Sequence, residues 1–170
     1  VEINPKNVKI ARKIFGKDAN IFCGSFLEDE WKTKFGVDTF DVIVGNPPFN
    51  KPVGEKRYGA GRTLWDKFVN KSLDILNNNG YLGFIHPSNW RGLGEQHKIW
   101  KMMSKKQVIY LHIYSKKDGQ KYFNVGSRFD LYVLQNRNNT NNTEIIDELG
   151  EKHTIKIDEL PFLPNANYDI

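Results

Sequence analysis

A short apolar run followed by two prolines constrains this chain more than any other feature. Residues 41–45 are Asp-Val-Ile-Val-Gly, a β-branched sequence typical of a strand buried in a parallel sheet. Pro47 and Pro48 follow one residue later, and proline cannot donate a hydrogen bond to a neighbouring strand. The strand must therefore end there, and open α/β sheets bind ligands at the carboxyl ends of their strands. The pattern predicts an α/β fold with a ligand site at this turn.

The turn combines hydrogen-bond acceptors with an aromatic ring. Asn46 has an amide oxygen and Pro47 a carbonyl oxygen, both of which accept hydrogen bonds, and Phe49 has a ring on which a flat substrate can stack. The alternative is a proline turn that only caps a core strand, because Asn and Pro are common in turns for local reasons. The sequence on either side favours the ligand site.

The residues Asn46-Pro47-Pro48-Phe49 resemble the Asn-Pro-Pro-aromatic signature of the amino-methyltransferases. With its neighbouring motifs, the chain resembles the adenine-N6 DNA methyltransferases of restriction-modification or phage systems. The resemblance implies that S-adenosylmethionine methylates the adenine N6 amine, and that these four residues are catalytic. Two acceptors on the amine hydrogens would favour a pyramidal nitrogen and stabilise the developing positive charge. The aromatic ring would stack on a base taken out of the duplex.

The matching positions follow the γ order of motifs, with a ribose-binding acid first, the catalytic turn next and a base-stacking aromatic last. Glu2 resembles the acid that holds the ribose hydroxyls, with Ile3 against the adenine ring. Ser25 stands where the family usually has an acid that binds the adenine amine, and a neutral hydroxyl is a weaker acceptor there. Phe26 is expected to pack on the adenine face. The resemblance thus implies that Glu2, Ile3, Ser25 and Phe26, together with Asn46, bind S-adenosylmethionine.

Residues 81–87 predict a second buried strand that ends in a proline. The next residues, 88–91, are Ser-Asn-Trp-Arg, and this Pro-Ser-x-Trp ending resembles motif VI of the DNA adenine methyltransferases. His86 lies at the end of the strand. We expect it to be a hydrogen-bonded structural histidine rather than a general base.

Two further strands are predicted at residues 107–114 and 128–135, with a polar loop of residues 116–126 between them. They predict an antiparallel hairpin, which distinguishes methyltransferase-type sheets from plain dinucleotide-binding folds. Phe123 lies in the loop and resembles the motif VIII aromatic, which implies that it stacks on the base opposite Phe49. The alternative is a loop aromatic that packs on its own hairpin.

The spacing of apolar residues predicts helices at residues 6–15 and 95–103. Between them, Thr63 is expected to cap a helix that stops at the Asn-Asn-Asn-Gly sequence of residues 77–80. A short strand is predicted at residues 20–24.

The sequence that follows Phe49 is rich in glycine and basic residues and is typical of a mobile cationic loop. Because it starts beside the catalytic turn, we expect it to close over the substrate and contact DNA phosphates. A solvated connection is the alternative. The basic side chains concerned are Lys51, Lys56, Arg57 and Arg62.

The bulk properties agree with an intracellular, cytoplasmic nucleic-acid enzyme without specifying one. The net charge is +5 and the pI about 9.2, which is compatible with a DNA partner. A single cysteine, Cys23, excludes an internal disulfide. No apolar run is long enough to cross a membrane, and we predict no metal site.

The chain begins with Val1 rather than Met, inside a predicted strand, so we expect it to be a piece of a longer protein. The predicted fold is an α/β, Rossmann-like methyltransferase sheet, mostly parallel with a C-terminal antiparallel hairpin. By resemblance, the strand and Gly-rich loop of motif I are missing at the N-terminus. We predict a catalytic domain at residues 1–136, a linker at 137–143, and the start of a candidate DNA-recognition region at 144–170.

Other functions share the tetrapeptide and stay open at this point. They are RNA adenine or guanine methylation, protein-glutamine methylation, and nucleic-acid binding by an inactive module of the same fold. The His-Pro-Ser-Asn-Trp sequence and the hairpin loop favour methylation of DNA.

Overall fold

The computed structural model of the chain describes residues 1–50, 63–94 and 96–168. They belong to two units, Val1–Phe40 and Asp41–Ile170. The six-stranded sheet lies in the second unit, apart from the first residue of its first strand.

The first unit contains two helices and one β-bridge. Helix α1 (Pro5–Phe15) begins with a proline. The Asn4 side chain caps it by accepting a hydrogen bond from the Lys6 backbone N–H at 2.9 Å. Helix α2 (Glu30–Phe35) ends at a glycine in the left-handed region. The strands expected at the start of the chain and at residues 20–24 reduce to one parallel bridge between Glu2 and Cys23.

Trp31 forms the centre of the first unit. Its side chain is completely buried. The ring lies parallel to that of Phe26 at 6.1 Å and packs on Phe40 at 5.4 Å, and its indole N–H donates to the Phe26 carbonyl at 3.0 Å. This aromatic cluster positions the loop that contains the predicted cofactor residues Ser25 and Phe26.

The second unit is a mixed α/β layer structure. Its sheet has the order β1-β2-β4-β3-β5-β6. The elements are β1 (Phe40–Gly45), α3 (Trp65–Asp74), β2 (Leu76–Pro87), a 3-10 turn (Ser88–Arg91), α4 (His97–Met103), β3 (Lys106–Tyr114), α5 (Lys116–Phe123), β4 (Phe129–Asn138), β5 (Thr143–Ile146) and β6 (Lys152–Ile155).

Strand β4 lies between β2 and β3 and is antiparallel to both. This arrangement confirms the predicted antiparallel hairpin, and with it the α/β methyltransferase class of fold. Strands β5 and β6 form a second antiparallel hairpin, and β5 adds to the edge of β3 in parallel. The proposed division of the chain at residues 136 and 143 stays a prediction.

The hydrophobic core lies between one face of this sheet and the helices α3 and α4. Strand residues that point to this face alternate with residues on the other face, as a two-residue period requires. The large, fully buried side chains of this core are Trp65, Leu82, Trp90, Ile99, Trp100, Met103, Leu111, Ile113, Tyr132 and Leu134.

The prediction of a loop at residues 116–126 was wrong, because residues 116–123 form helix α5. The helix begins with a capping box: the Ser115 hydroxyl accepts from the Asp118 N–H at 3.3 Å, and the Asp118 carboxylate accepts from the Ser115 N–H at 2.9 Å. It ends at Asn124 in the left-handed conformation. Phe123 is therefore the last residue of a helix rather than part of an irregular loop.

Three smaller expectations also differ from the structure. Leu64, not Thr63, occupies the N-cap position of α3, and it makes no side-chain cap. The Asn-Asn-Asn-Gly sequence lies inside strand β2. Strand β1 is not buried on both faces, since Val42 and Val44 are 58% and 78% exposed.

Within residues 1–50, 63–94 and 96–168, no helix has the length and apolarity that a membrane span requires.

Candidate active site at the Asn-Pro-Pro-Phe turn

The predicted catalytic turn lies where strand β1 ends. Asn46 is exposed, Pro47 is buried and Phe49 is half-buried, whereas Pro48 faces solvent. Neither the Asn46 side chain nor the Pro47 carbonyl is hydrogen-bonded to another of the described residues.

The backbone after the turn is fixed to the start of helix α3. The Phe49 carbonyl accepts from the Leu64 N–H at 3.1 Å, and Asn50 pairs with Thr63 in an antiparallel bridge. The Thr63 hydroxyl in turn accepts from the Gln96 side chain at 3.2 Å. These contacts hold the ring-bearing residue in place. The predicted phosphate contacts Lys51, Lys56, Arg57 and Arg62 lie outside the described residues.

The structure brings together the two rings predicted to hold the base. The Phe49 and Phe123 ring centroids are 5.9 Å apart, with an angle of 65° between the ring planes. A base stacked on both faces needs centroids about 7–8 Å apart and nearly parallel rings, because stacked carbon atoms separate by about 3.5–4.0 Å. The two rings thus touch edge to face, and they have to separate and rotate to admit a base.

A cleft of about 290 Å³ lies next to Phe123. Phe123 packs edge-on against Phe129 at 4.9 Å, and Phe129 stacks on Tyr114 at 4.4 Å with an angle of 7° between planes. All three rings line the cleft. Its lining is Ile85, Tyr114, Tyr122, Phe123, Phe129 and Leu131.

His86 is a buried structural residue, as expected. Its Nδ1 lies 3.0 Å from the Pro87 carbonyl oxygen, which can only accept, so Nδ1 has the proton and Nε2 accepts from the Tyr132 hydroxyl at 3.2 Å. The ring also stacks on Trp65 at 4.2 Å. Burial lowers the pKa of His86 from 6.5 to about 3. With both nitrogens bonded and the ring neutral, His86 cannot act as the general base.

Arg91 and Asp130 form a buried ion pair next to the end of strand β2, and this pair was not predicted from the sequence. The Asp130 carboxylate accepts from the Trp90 indole at 2.7 Å and from the Arg91 guanidinium at 2.7 and 3.2 Å. The other guanidinium hydrogens bind the carbonyls of Leu163 and Pro164, both at 2.9 Å, and the Asn165 side chain at 3.0 Å. Arg91 thereby ties the C-terminal segment to the motif VI turn.

A Glu2 carboxylate and an exposed Ile3 lie at the β-bridge of the first unit. One Glu2 oxygen accepts from the Asn4 N–H at 2.7 Å, and the other has a single contact, to the Asn7 amide at 3.4 Å. Ile3 is 70% exposed. An acceptor with spare capacity beside an apolar surface fits a ribose and an adenine ring. The bridge places Glu2 next to the loop that contains Ser25, whose hydroxyl accepts from the Leu27 N–H at 3.2 Å.

Among the described residues, Asp147, Glu151 and His153 have potential ligand atoms within 4.8 Å of one another. Their contacts stabilise the β5–β6 turn. The Asp147 carboxylate accepts from the N–H groups of Leu149 and Glu151, both at 2.9 Å, and pairs with the His153 ring at 3.1 Å. We assign no metal to this group.

The fold and the turn together define a methyltransferase-type α/β protein. The chain is similar in fold to the M protein of the type I restriction enzyme EcoKI, with a TM-score of 0.62 and 15% identity. The match covers 86% of this chain and 34% of that one.

The chain belongs to the Eco57I restriction-modification methylase family, which matches residues 2–123. That span contains every predicted motif from Glu2 to Phe123, so the family resemblance seen in the sequence is confirmed. An uncharacterised adenine-specific methylase of Mycoplasma pneumoniae is 41% identical over 64 residues, 37% of this chain and 15% of that protein. The type II restriction enzyme and methyltransferase RM.Eco57I of Escherichia coli is 31% identical over 85 residues, 41% of this chain and 8% of that protein.

Proposed function

We propose that this chain is part of an S-adenosylmethionine-dependent DNA methyltransferase that acts on the N6 amine of adenine. The observation that supports this most is the turn after β1, where the Asn46 amide and the Pro47 carbonyl have no hydrogen-bond partner among the described residues and the ring of Phe49 contacts that of Phe123. Family membership and the adenine-specific methylase among the relatives support the same reaction and favour adenine as the base.

In the proposed mechanism, Asn46 and Pro47 orient the target amine. The Asn46 amide oxygen and the Pro47 carbonyl oxygen each accept one N6 hydrogen, which concentrates the nitrogen lone pair and stabilises positive charge as the new N–C bond forms. When bound, S-adenosylmethionine would supply the methyl group, whose bond to the sulfonium sulfur breaks as the N–C bond forms, and one N6 hydrogen would then leave as a proton to solvent. Holding the amine in line with that group converts a bimolecular reaction into an effectively unimolecular one. Each acceptor is ready before the substrate arrives, because neither is hydrogen-bonded within the described residues.

Phe49 and Phe123 are proposed to enclose the extruded adenine. Their edge-to-face contact is worth about 0.5–1.5 kcal/mol and is lost when the base enters. Stacking of a base on an aromatic ring contributes about 1–3 kcal/mol, which offsets the lost ring contact.

The cofactor is proposed to bind through Glu2, Ile3, Ser25 and Phe26, together with Asn46. Glu2 would accept from the ribose hydroxyls, and Ile3 would contact the adenine ring. Ser25 can still donate its own hydroxyl hydrogen, although its oxygen already accepts from Leu27.

DNA is the proposed macromolecular partner, and the cytoplasm the proposed location. The net charge of +5 supports binding to a polyanion. The four basic residues after the turn, Lys51, Lys56, Arg57 and Arg62, are proposed to contact phosphates on either side of the extruded base.

Methyl transfer from radiolabelled S-adenosylmethionine tests the proposal directly. The complete gene product is incubated separately with duplex DNA, RNA and protein, and the modified nucleosides or amino acids are identified by mass spectrometry. We expect N6-methyladenine in DNA. Label in RNA or in glutamine would support one of the other methyltransferase classes, and DNA binding without any transfer would indicate an inactive module.

A further inference from the structure

The helix that ends at Phe123 contacts its surroundings through the rings of Tyr122 and Phe123 at its end and through the backbone at Gly119. Gly119 is the one buried residue of α5. A helix of two turns has little stability of its own in water, so its position depends on a few specific contacts. The exposed residues of the helix are Lys116, Lys117, Gln120, Lys121 and Tyr122.

The chain that follows α5 passes directly over Gly119. The Val125 N–H donates to the Gly119 carbonyl at 3.2 Å. A Cβ atom at Gly119 would overlap the Ser127 carbonyl oxygen and lie 2.8 Å from the Val125 carbonyl oxygen. Both neighbours are backbone atoms, which cannot rotate away as a side chain does. A side chain at this position must therefore displace the loop or the helix.

Other contacts of α5 fix its two ends. The capping box with Ser115 fixes the first turn, and the left-handed Asn124 ends the last one. Phe123 lies one turn after Gly119, with its ring against Phe129 at 4.9 Å and Phe49 at 5.9 Å. A shift of the helix away from the loop moves this ring relative to the catalytic turn.

We propose that Gly119 is a positioning residue for base stacking and acts through Phe123. The absence of a side chain lets α5 and residues 125–127 pack at backbone contact distance, and this packing sets the distance between the two rings that receive the base. The inference rests on the proposed function. It adds a residue whose only role in the reaction is to hold Phe123 in place.

The test is a double-mutant cycle in the complete gene product, with Gly119→Ala, Phe123→Ala and the double variant. We expect Gly119→Ala to lower kcat/KM for DNA by about ten- to a hundredfold, the effect of losing one stacking ring. The double variant should be no worse than Phe123→Ala alone, because Gly119 acts only through that ring. Gly126→Ala is the matched control in the same loop, since a Cβ there meets nothing within 4 Å.

A readout that is independent of activity is the fluorine NMR signal of para-fluorophenylalanine incorporated in place of Phe123. The signal should shift in Gly119→Ala and stay unchanged in Gly126→Ala. Wild-type kinetics in Gly119→Ala, losses that multiply in the double variant, or weaker S-adenosylmethionine binding in Gly119→Ala would each overturn the inference. A wild-type protein that does not methylate adenine would refute the proposed function instead, whereas the NMR result would still decide whether Gly119 positions the ring.

Discussion

His86 offers a quantitative test of the buried strand end next to the candidate active site. Its neutral ring donates to the Pro87 carbonyl, accepts from Tyr132 and stacks on Trp65. Burial lowers its pKa to about 3 in the folded chain, against 6.5 for an unburied imidazole. The unfolded state therefore binds a proton at a pH where the folded state does not. The stabilisation is complete above the unfolded pKa and is lost as the pH falls toward the folded one.

The size of the effect follows from the two pKa values. At the low-pH limit the difference corresponds to on the order of 5 kcal/mol. Between these limits the linkage relation gives a loss of about 2 kcal/mol at about pH 5 and about 3 kcal/mol at about pH 4, relative to neutral pH.

The assay is urea unfolding of the chain, followed by tryptophan fluorescence at neutral pH and at about pH 5. The comparison variant is His86→Asn, whose amide can still donate to the Pro87 carbonyl but does not titrate. We expect the variant to be less stable at neutral pH, because it loses the stack and the acceptor for Tyr132. Its further loss on acidification should be about 2 kcal/mol smaller than that of the wild type. Equal losses in the two proteins would refute the argument, since they would mean that His86 does not take up a proton on unfolding.

Substitutions at two further places test the rings and the buried ion pair. Phe123→Ala in the complete gene product should weaken productive DNA binding about ten- to a hundredfold, with a milder effect for Phe123→Trp. The fluorescence of 2-aminopurine at the target position of the DNA reports whether the base is stacked. If both this fluorescence and the methylation rate are unaltered in Phe123→Ala, the ring only packs on its own hairpin. Arg91→Met should lower the free energy of unfolding by about 3–5 kcal/mol, because it leaves the Asp130 carboxylate buried without its partner. The double variant Arg91→Met/Asp130→Leu should recover much of this in urea unfolding, and a double variant as unstable as the single one would assign the loss to packing.

The strands β1 to β4 and the proline turn after β1 were predictable because their signals are local. A β-branched run, a glycine and two prolines define the end of β1, and the apolar runs of β2, β3 and β4 define the sheet. The antiparallel pairing followed from two predicted strands with one polar segment between them. None of these predictions requires knowledge of distant contacts.

Helix α5 was missed because its residues lack the apolar spacing that marks a helix. Its sequence is Lys-Lys-Asp-Gly-Gln-Lys-Tyr-Phe, and its one buried position is Gly119. The sequence does contain one sign of a helix start, the capping pair Ser115 and Asp118, which are three residues apart. Weighing this pair above the polar composition would have predicted the helix start.

The remaining differences depend on tertiary contacts. The exposure of Val42 and Val44 is set by what covers that face of the sheet, not by the sequence of β1. Arg91 and Asp130 form an ion pair because β4 lies beside β2. This pairing of strands brings two residues that are separated by 39 positions in the sequence within hydrogen-bond distance. A single sequence does not contain that pairing.

The most direct test of the central claim is the rate of adenine methylation by Asn46→Ala in the complete gene product, at saturating DNA and S-adenosylmethionine. The loss of one preorganised acceptor should lower kcat by roughly a hundredfold or more, with a far smaller change in S-adenosylmethionine affinity. Asn46→Asp, which keeps an acceptor oxygen, should retain more activity than Asn46→Ala. Wild-type turnover in Asn46→Ala would contradict the assignment of the turn as the catalytic site.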